Sequence, residues 1–439
     1  MTLKEIPISK GLPLLGHLLD YKKDRLQMLK KAHVEFGGIF KLKVGPKTLV
    51  VITQPEQIEQ VLQKKLANYI KKTNADQLFG HSIGTANGDE WKKQRSLIQP
   101  LLNPRYFSDI FEDVKDLVKK NTNTFYTKLN DGSDIRELYS KITYDIILKC
   151  MIGLDSYDQF HAVDNAIQEM TDFISNDKYS FINLPAGLDK KKLAFKSSLT
   201  LLNEIIYEGI EKADAENPRS LVSVLKKEIA SNDEIKDKQA FIRDNIFTLL
   251  YAGYDTSALT LSWLSYELSQ NPQWIEKCYE EVKDLDFDSL TYADIKDLPI
   301  CTACIFETMR LYPPGWAFTR FASEDDELCG YKIKKGDILL YSPYLTHRDT
   351  NLWEDADEFR PERFIDKKPN EIGRFKFIPF GAGPRTCTGM QFGMMEIKTI
   401  LIHILQNYTV KLKGEKPVLD ARVTLYSANK YQVKLEKRN

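Results

Sequence analysis

The stretch "FGAGPRTCTG", residues 380–389, places one cysteine among three glycines, after an apolar run and before a helical pattern. Gly381 and Gly383 permit a tight turn with positive φ and a close approach of the backbone to a flat or large group. The following "MQFGMMEIKTILIHIL" predicts an amphipathic helix, so Cys387 lies just before a helix N-terminus, where a thiolate is favoured. Arg385 adds a positive charge two residues away. This pattern is typical of a nucleophile or a metal ligand.

Two other interpretations of Cys387 stay open on these residues alone. Free cysteine often packs as a small hydrophobic side chain, so a structural thiol in a glycine-rich turn would also fit. A cysteine nucleophile would need a histidine base, for which His347 and His403 are candidates.

The composition describes a large globular protein that is not a general nucleic-acid binder. The chain has 439 residues, 42% of them hydrophobic, and 62 basic residues balance 62 acidic ones. Six cysteines are too few for a disulfide framework, and we expect reduced thiols in the cytoplasm. The N-terminal "GLPLLGH" lacks a long apolar run, so we expect a soluble protein without a membrane segment.

The periodicity predicts a mainly α fold with a smaller β-rich part. Strand-like runs precede a helix that starts at Pro55, and Asn271-Pro272 separates two long helices. No repeat or linker marks a boundary, so residues 1–439 are expected to form a single domain. The β-rich part is predicted at about 38–70, 313–345 and 407–439, and the helical part at about 89–311 and 389–406.

The motif "FGAGPRTCTGMQFGMME" resembles the heme-binding loop of cytochrome P450 monooxygenases: Phe, two residues, Gly, one, Arg, one, Cys, one, Gly. The resemblance implies a P450 fold, with a long helix crossing heme b and Cys387 as the thiolate on its iron, an arrangement that favours O–O cleavage. Gly393 stands where the family most often has alanine. The loop residues implied in cofactor binding are Phe380, Gly381, Arg385 and Gly389.

"AGYDT", residues 252–256, breaks several rules of the helix predicted at 238–268. Gly253 and Thr256 are poor mid-helix residues, and a buried Asp255 is costly, although a packing glycine and a solvated carboxylate would also explain them. The resemblance implies that Thr256 orients dioxygen for protonation and that Asp255 delivers protons, as a hydroxyl and a carboxylate can do.

Two further motifs are common in helices and mean little when each is considered alone. The family resemblance gives each of them a role. Glu307 and Arg310 of "ETMR" share a helix face; with Arg363 of "FRPERF" the resemblance implies a structural network that holds the cysteine loop. Trp91 and Arg95 of "WKKQR" also share a helix face. The resemblance implies that these two, with Arg320 and Arg385, hold the heme propionates.

A C-x-x-C motif, "CTAC", is predicted to be ordinary core. No second C-x-x-C and no nearby histidine supports Cys301 and Cys304 as a zinc or redox site.

The resemblance implies a monomeric monooxygenase that inserts one oxygen atom of O2 into a small organic molecule. Little chain follows the cysteine helix, so we expect separate electron donors, a ferredoxin or flavodoxin with its reductase. An acidic surface of the electron donor would dock near four basic residues of this chain: Lys92, Lys93, Arg374 and Lys376.

A largely apolar pocket favours a lipid-like or terpenoid substrate. By resemblance its walls come from residues 71–87, 171–188, 247–251, 315–319 and 425–429.

Polar loops leave oxidative demethylation of a methoxylated or sugar-like substrate open. A non-catalytic heme sensor, a peroxide-driven enzyme and a cysteine hydrolase also stay open. The predicted pocket residues are Leu78, Phe79, Phe247, Leu250, Tyr251, Trp316, Phe318 and Tyr426.

Overall fold

The computed structural model describes residues 3–72, 76–126, 134–155, 159–177, 190–367, 369–431 and 433–438. In these ranges the α-helices are α1 Leu18–Phe36, α2 Pro55–Glu59, α3 Asp76–Phe79, α4 Gly88–Ile98, α5 Pro104–Tyr126, α6 Ile135–Ile146, α7 Phe160–Asp177, α8 Lys190–Glu216, α9 Leu221–Ile229, α10 Lys238–Gln270, α11 Pro272–Val282, α12 Pro299–Leu311, α13 Pro343–Thr346, α14 Pro369–Gly373 and α15 Met390–Asn407. The strands are β1 Ile39–Val44, β2 Lys47–Ile52, β3 Tyr69–Ile70, β4 Phe318–Ala322, β5 Asp326–Leu328, β6 Tyr331–Ile333, β7 Ile338–Tyr341, β8 Tyr408–Leu412, β9 Leu419–Ala421, β10 Leu425–Ser427 and β11 Val433–Lys437. Short π-helical turns occupy Gln60–Lys64 and Ile147–Ile152, and short 3-10 turns Gln99–Leu101, Asp294–Lys296, Pro361–Arg363 and Gly383–Arg385.

The chain divides into two compact units. The sheet unit comprises Met1–Thr73, Ala303–Cys387 and Leu419–Tyr426, and the helical unit comprises Asn74–Thr302, Thr388–Val418 and Ser427–Asn439. Cys387 is the last residue of the middle segment of the sheet unit, and "AGYDT" lies in the helical unit.

The sheet unit is built on a five-stranded sheet in the order β1-β2-β7-β4-β3. β1 and β2 form an antiparallel hairpin, β2 runs parallel to β7, and β4 is antiparallel to β7. The last four residues of β2, "LVVI", are all buried, as expected of a β-branched central strand with both faces covered. Ile378 and Ala382, from the start of the cysteine segment, belong to the same buried core as this sheet.

The helical unit is organised around α10, whose 33 residues are buried along most of their length. The Asp237 side chain caps its first turn by accepting a hydrogen bond from the Ala240 amide, and Pro272 starts the next helix just beyond its end. α6, α8 and α15 pack against it. The lead-in to α4 is tied to α10, because His81 N–H donates to Asp244 Oδ2 (2.8 Å) and Ile83 N–H to Asn245 Oδ1 (2.9 Å).

The mainly helical class with a smaller strand part is confirmed. α10 extends two residues beyond its predicted end, and α15 is displaced by one residue from its predicted range. The predicted β range 407–439 is divided: β8 and β11 pair with each other in the helical unit, and only residues 419–426 belong to the sheet unit. Within the described ranges, no helix is both long enough and apolar enough to span a bilayer.

Candidate active site

The cysteine loop is a tight turn closed by its own backbone. Gly381 and Gly383 have φ of +72° and +70°, the left-handed region that glycine adopts without strain. Gly381 N–H donates to Ile378 O (3.0 Å), and Cys387 N–H donates to Phe380 O (2.8 Å). Cys387 is exposed, forms no disulfide with any described residue, and lies three residues before α15 begins. The loop therefore presents its sulfur on a fixed backbone.

The two loop glycines are needed for different reasons. A Cβ on Gly383 would lie 2.4 Å from the Leu62 carbonyl oxygen, so no side chain fits there. A Cβ on Gly381 would meet nothing within 4 Å. The close approach at Gly383 is to the protein's own main chain in the π-helical turn, whereas Gly381 borders open space that a flat group can fill.

The structure brings the three predicted network residues together in the sheet unit. Arg310 donates from Nε and Nη2 to the two carboxylate oxygens of Glu307 at 2.7 and 2.8 Å, and neither side chain has any exposed surface. Arg363 Nε reaches the same carboxylate at 3.3 Å. The remaining Arg310 donors bind the carbonyls of His347, Ala356 and Glu358 at 2.6–2.9 Å.

His347 lies beside this network and accepts a backbone hydrogen bond in the cysteine segment. Its Nε2 is 2.9 Å from the Ile378 amide nitrogen. Burial and the nearby Arg310 charge lower the pKa of His347 to about 3, so the ring is neutral at physiological pH. Because Nε2 is already engaged, the ring is poorly suited to act as a base for a cysteine nucleophile. Burial likewise lowers the pKa of His403 to about 4.

Two predicted propionate residues lie near one tyrosine in the sheet unit. Burial raises the pKa of the Tyr341 hydroxyl, and the charges of Arg320 and Arg385 oppose that rise. Arg320 Nη1 donates to Thr319 O (2.8 Å), but its Nε is buried without a hydrogen-bond partner among the described residues. A buried guanidinium N–H left unsatisfied fits a carboxylate ligand, so these residues are compatible with a heme propionate.

The other two predicted propionate residues lie on α4 in the helical unit. Trp91 is buried, and Arg95 Nη1 donates to Thr388 Oγ1 at 2.6 Å. Thr388 follows Cys387 directly in the chain. α4 contains both Trp91 and Arg95, so the two residues can share one helical face as predicted.

α10 has an accessible patch in the middle of its buried length. From Tyr254 to Leu268 every residue is buried except Thr256, while Ala252 is exposed and Gly253 is half-buried. Ala252 and Gly253 each lie about one helical turn before Thr256, so both neighbour it on the helix surface. Thr256 Oγ1 donates to Ala252 O at 2.8 Å. An exposed alanine inside a buried helix indicates open space above this face.

Asp255 is buried and pairs with an arginine of α6. Arg136 Nη1 is 3.4 Å from Asp255 Oδ1, and Arg136 Nη2 is 3.4 Å from Asp164 Oδ2 on α7. Tyr254 OH donates to Asp164 Oδ1 at 2.6 Å. Sequence reasoning missed Arg136 and Asp164, which no local motif marks, and it assigned no role to Tyr254 although this residue lies within "AGYDT".

The predicted pocket residues form aromatic groups in each unit. In the helical unit Phe79 lies edge-on to Phe247 and Tyr251, with ring centroids 5.9 and 5.3 Å apart, and Tyr251 OH is 2.8 Å from Thr171 Oγ1. Leu78, Phe247 and Leu250 are buried. Residues 73–75 and 178–188 of the predicted walls lie outside the described residues.

In the sheet unit Phe318 is the accessible member of the predicted pocket set. Its ring stacks on Tyr341 with centroids 5.3 Å apart, and it is partly exposed. Trp316 is buried and donates from Nε1 to Arg422 O (2.8 Å), while Tyr426 packs under the Arg422 guanidinium.

The C-x-x-C residues are core residues. Cys301 and Cys304 are both buried and form no disulfide with each other, and Cys301 Sγ lies 3.9 Å from the Cys278 carbonyl oxygen.

Comparison with known proteins agrees with these features. The cytochrome P450 family model matches residues 6–435. Carotene epsilon-monooxygenase, chloroplastic, of Arabidopsis thaliana is 31% identical over 472 residues, covering 98% of this chain and 86% of that protein. LUTEIN DEFICIENT 5, chloroplastic, of the same plant is 28% identical (93% and 74%), and human cytochrome P450 4V2 is 28% identical (100% and 90%).

The chain belongs to the cytochrome P450 family. It is a heme-thiolate monooxygenase with heme b as its cofactor, and it uses O2, a small-molecule substrate and redox partners.

Proposed function

We propose that Cys387 is the thiolate ligand of the heme iron. The observation that carries the proposal is the exposed position of Cys387 on a backbone-closed loop, beside a Gly381 that borders open space. The thiol also precedes the N-terminus of α15, where a negative charge is stabilised.

The propionates of heme b are proposed to bind four basic or polar side chains. Arg320 supplies an unsatisfied buried Nε–H, and Arg385 adds a second cation near Tyr341. Arg95 and Trp91 on α4 contribute a guanidinium and an indole N–H. Arginine forks suit carboxylates, and binding would also satisfy the buried Arg320 Nε–H.

Thr256 and Asp255 are proposed to handle protons. When bound, heme b supplies the centre where dioxygen is activated with two electrons for transfer of one oxygen atom. Thr256 Oγ1 faces the accessible side of α10 and can turn from the Ala252 carbonyl to donate toward that side. Asp255 carries a buried carboxylate whose 3.4 Å pairing with Arg136 is loose enough to be exchanged for a proton-carrying water.

The substrate is proposed to be a lipid-like terpenoid that is hydroxylated at carbon. The similar plant protein named carotene epsilon-monooxygenase supports an isoprenoid, and the Phe79–Phe247–Tyr251 cluster supplies apolar contact area. Phe318 offers a partly exposed ring in the sheet unit.

The electron donor is proposed to be a ferredoxin or flavodoxin with an acidic surface, acting on a monomer in the cytoplasm. Lys92 and Lys93 are exposed, and their partners Asp89 and Glu234 are exposed as well. An acidic protein can therefore replace those surface carboxylates at little cost. None of the six cysteines, all of which lie in the described ranges, forms a disulfide, and this is compatible with a reducing compartment.

The first test is the absorption spectrum of the purified protein, reduced under carbon monoxide, for wild type and Cys387→Ser. We expect a strongly red-shifted Soret band in wild type and its loss in the variant. A band typical of histidine-ligated heme in wild type would overturn the ligand assignment.

The substrate proposal is tested by titrating wild type with cyclic carotenoids and with methoxylated polar compounds. We expect a spin-state shift and a hydroxylated, carbon-complete product from the former, with electrons from a ferredoxin or flavodoxin system. Formaldehyde release from the latter would favour oxidative demethylation instead. Heme binding without turnover across both sets would favour a sensor.

A further inference from the structure

His347 is a fully buried histidine that serves two parts of the sheet unit at once. Its carbonyl oxygen accepts from Arg310 Nη1 at 2.7 Å, and its ring Nε2 accepts from the Ile378 amide at 2.9 Å. The first bond belongs to the buried Glu307–Arg310 network. The second belongs to the segment that leads into the cysteine loop.

Two backbone hydrogen bonds close the loop between Ile378 and Cys387. The Ile378 carbonyl accepts from Gly381 N–H at 3.0 Å, which closes the first turn of the loop. Phe380, between them, accepts from Cys387 N–H at 2.8 Å. The position of the Ile378 peptide therefore sets the start of the turn that places Cys387.

The Ile378 bond fixes the protonation state of the ring. A nitrogen that accepts a hydrogen bond has no proton, so the neutral imidazole carries its proton on Nδ1. Burial and the Arg310 charge hold the ring in the neutral form. A charged ring would have a donor at Nε2 facing the Ile378 N–H, and the bond would be lost.

Aromatic packing holds the ring in this orientation. The His347 ring centroid lies 5.3 Å from that of Phe377 and 6.4 Å from that of Trp353. Trp353 Nε1 in turn donates to Thr346 O at 3.1 Å, one residue before the histidine. The acceptor is therefore held in place on both sides.

We propose that His347 is a positioning residue for the cysteine loop, in which Nε2 anchors the Ile378 amide and connects the loop to the Glu307–Arg310–Arg363 network. The inference rests on the proposed role of Cys387 as the iron ligand. Removal of the acceptor leaves a buried N–H unsatisfied at the base of the loop and frees the turn that carries the sulfur.

Three variants at position 347 distinguish the effect of losing the hydrogen-bond acceptor from the effect of changing the side-chain volume. His347→Gln retains an acceptor that reaches the position of Nε2, His347→Asn has the same amide but is too short, and His347→Leu has no acceptor. The matched control is His403→Leu, which removes another buried, neutral histidine, in α15 of the helical unit.

The primary measurement is native-state hydrogen exchange at the Ile378 amide in the heme-loaded protein. We expect exchange at Ile378 to rise about tenfold or more in His347→Asn and His347→Leu, and to stay near wild type in His347→Gln and His403→Leu. The reduced carbon monoxide spectra should show a larger fraction without thiolate ligation in the Asn and Leu variants, with partial rescue by Gln. Equal exchange at Ile378 in the Gln and Asn variants would overturn the proposal.

A measurement on wild type covers the case in which the variants do not fold. The ¹⁵N chemical shifts of the histidine ring in the reduced, carbon monoxide-bound protein report which nitrogen carries the proton. We expect an unprotonated Nε2 at His347, and a protonated Nε2 would overturn the proposal. A wild type without the thiolate-type spectrum would instead reject the role of Cys387, so the two failures are distinguishable.

Discussion

Two arginine–carboxylate pairs of this P450 differ in the length of their contacts and in their exposure. In the sheet unit all five N–H groups of Arg310 donate, at 2.6–2.9 Å, and the Glu307 pair has no exposed surface. In the helical unit Arg136 contacts Asp255 and Asp164 at 3.4 Å, and Arg136 keeps 18% of its side chain exposed.

The difference in geometry separates a fixed support from a group that can change partners. Arg310 has no donor left to offer and sits where rearrangement would leave buried charges unpaired. Asp255 is held by a longer contact, so a proton or a water can displace the arginine at smaller cost. The same pair of residue types thus fits a structural role in one unit and the proposed proton-transfer role in the other.

The largest effect is expected from Arg310→Lys. Lysine has three donors on one atom and cannot replace the fork that spans Glu307 and three carbonyls. We expect a loss of about 3–5 kcal/mol in the free energy of unfolding, together with loss of heme, measured by urea denaturation.

The matched control for this change is Arg360→Ala in the adjoining segment. The Arg360 side chain pairs with Asp355 on the surface, and both side chains are substantially exposed. We expect a loss below about 1 kcal/mol. If both variants lost the same stability, the saturated network would have no special role.

Asp255→Asn should reduce turnover more than stability. Asparagine preserves the shape but cannot release a proton at neutral pH, so we expect the oxygen-dependent turnover rate to fall about 100-fold. The solvent deuterium isotope effect on turnover should rise, because proton delivery becomes rate-limiting.

Asp164→Asn is the control, since Asp164 contacts the same arginine. We expect it to leave turnover within a few-fold of wild type, because Tyr254 and Arg136 are its structural partners. Equal losses in the two variants would mean that the arginine network, rather than Asp255, limits the reaction.

The pH dependence of stability should differ in sign between the two units. The pKa of His347 is about 3 in the folded sheet unit against 6.5 ordinarily, so its contribution is present above pH 6.5 and is lost as the pH falls toward 3. Burial raises the pKa of Glu396 in the helical unit to about 8 from 4.5, so its contribution is present below pH 4.5 and is lost as the pH rises through 8.

Urea midpoints between pH 4 and pH 9 test this expectation. Glu396→Gln should remove part of the alkaline loss and leave the acidic side unchanged, whereas His347→Gln should reduce the acidic loss. An unchanged alkaline limb in Glu396→Gln would show that another group controls it.

The sequence predicts features that depend on neighbours along the chain. The cysteine loop before α15, the strands that precede Pro55 and the long α10 follow from glycine spacing and periodicity, and the structure has them at nearly the predicted residues. The partners of the functional residues are a different matter. Arg136 meets Asp255 across 119 residues, and His347 meets Ile378 across 31, so tertiary packing alone brings them together.

For Gly383 and His347, the structure shows a different neighbour from the one that the sequence suggests. Gly383 favours a close approach to a flat cofactor, but its near contact is the Leu62 carbonyl, from a part of the chain more than 300 residues earlier. His347 is a candidate base for a nucleophile in the sequence, and its lone pair is instead used by a backbone amide.

The smallest effect on stability is expected where ion pairs are fully on the surface. The Lys92–Asp89 and Lys93–Glu234 pairs have N–O distances of 2.8 and 2.9 Å, as short as the contacts of Arg310, but more than half of each side chain is exposed. Water therefore competes for these charges, and reversal of both lysines to glutamate should leave the urea midpoint nearly unchanged. If an acidic electron donor docks at these lysines, the same reversal should slow reduction by that donor about tenfold at low salt, with the difference shrinking as salt screens the charges. An unchanged reduction rate at every salt concentration would place the docking surface elsewhere. A large drop in stability would mean that a short N–O distance stabilises an ion pair even without burial, and the difference drawn above between Arg310 and Arg136 would then not hold.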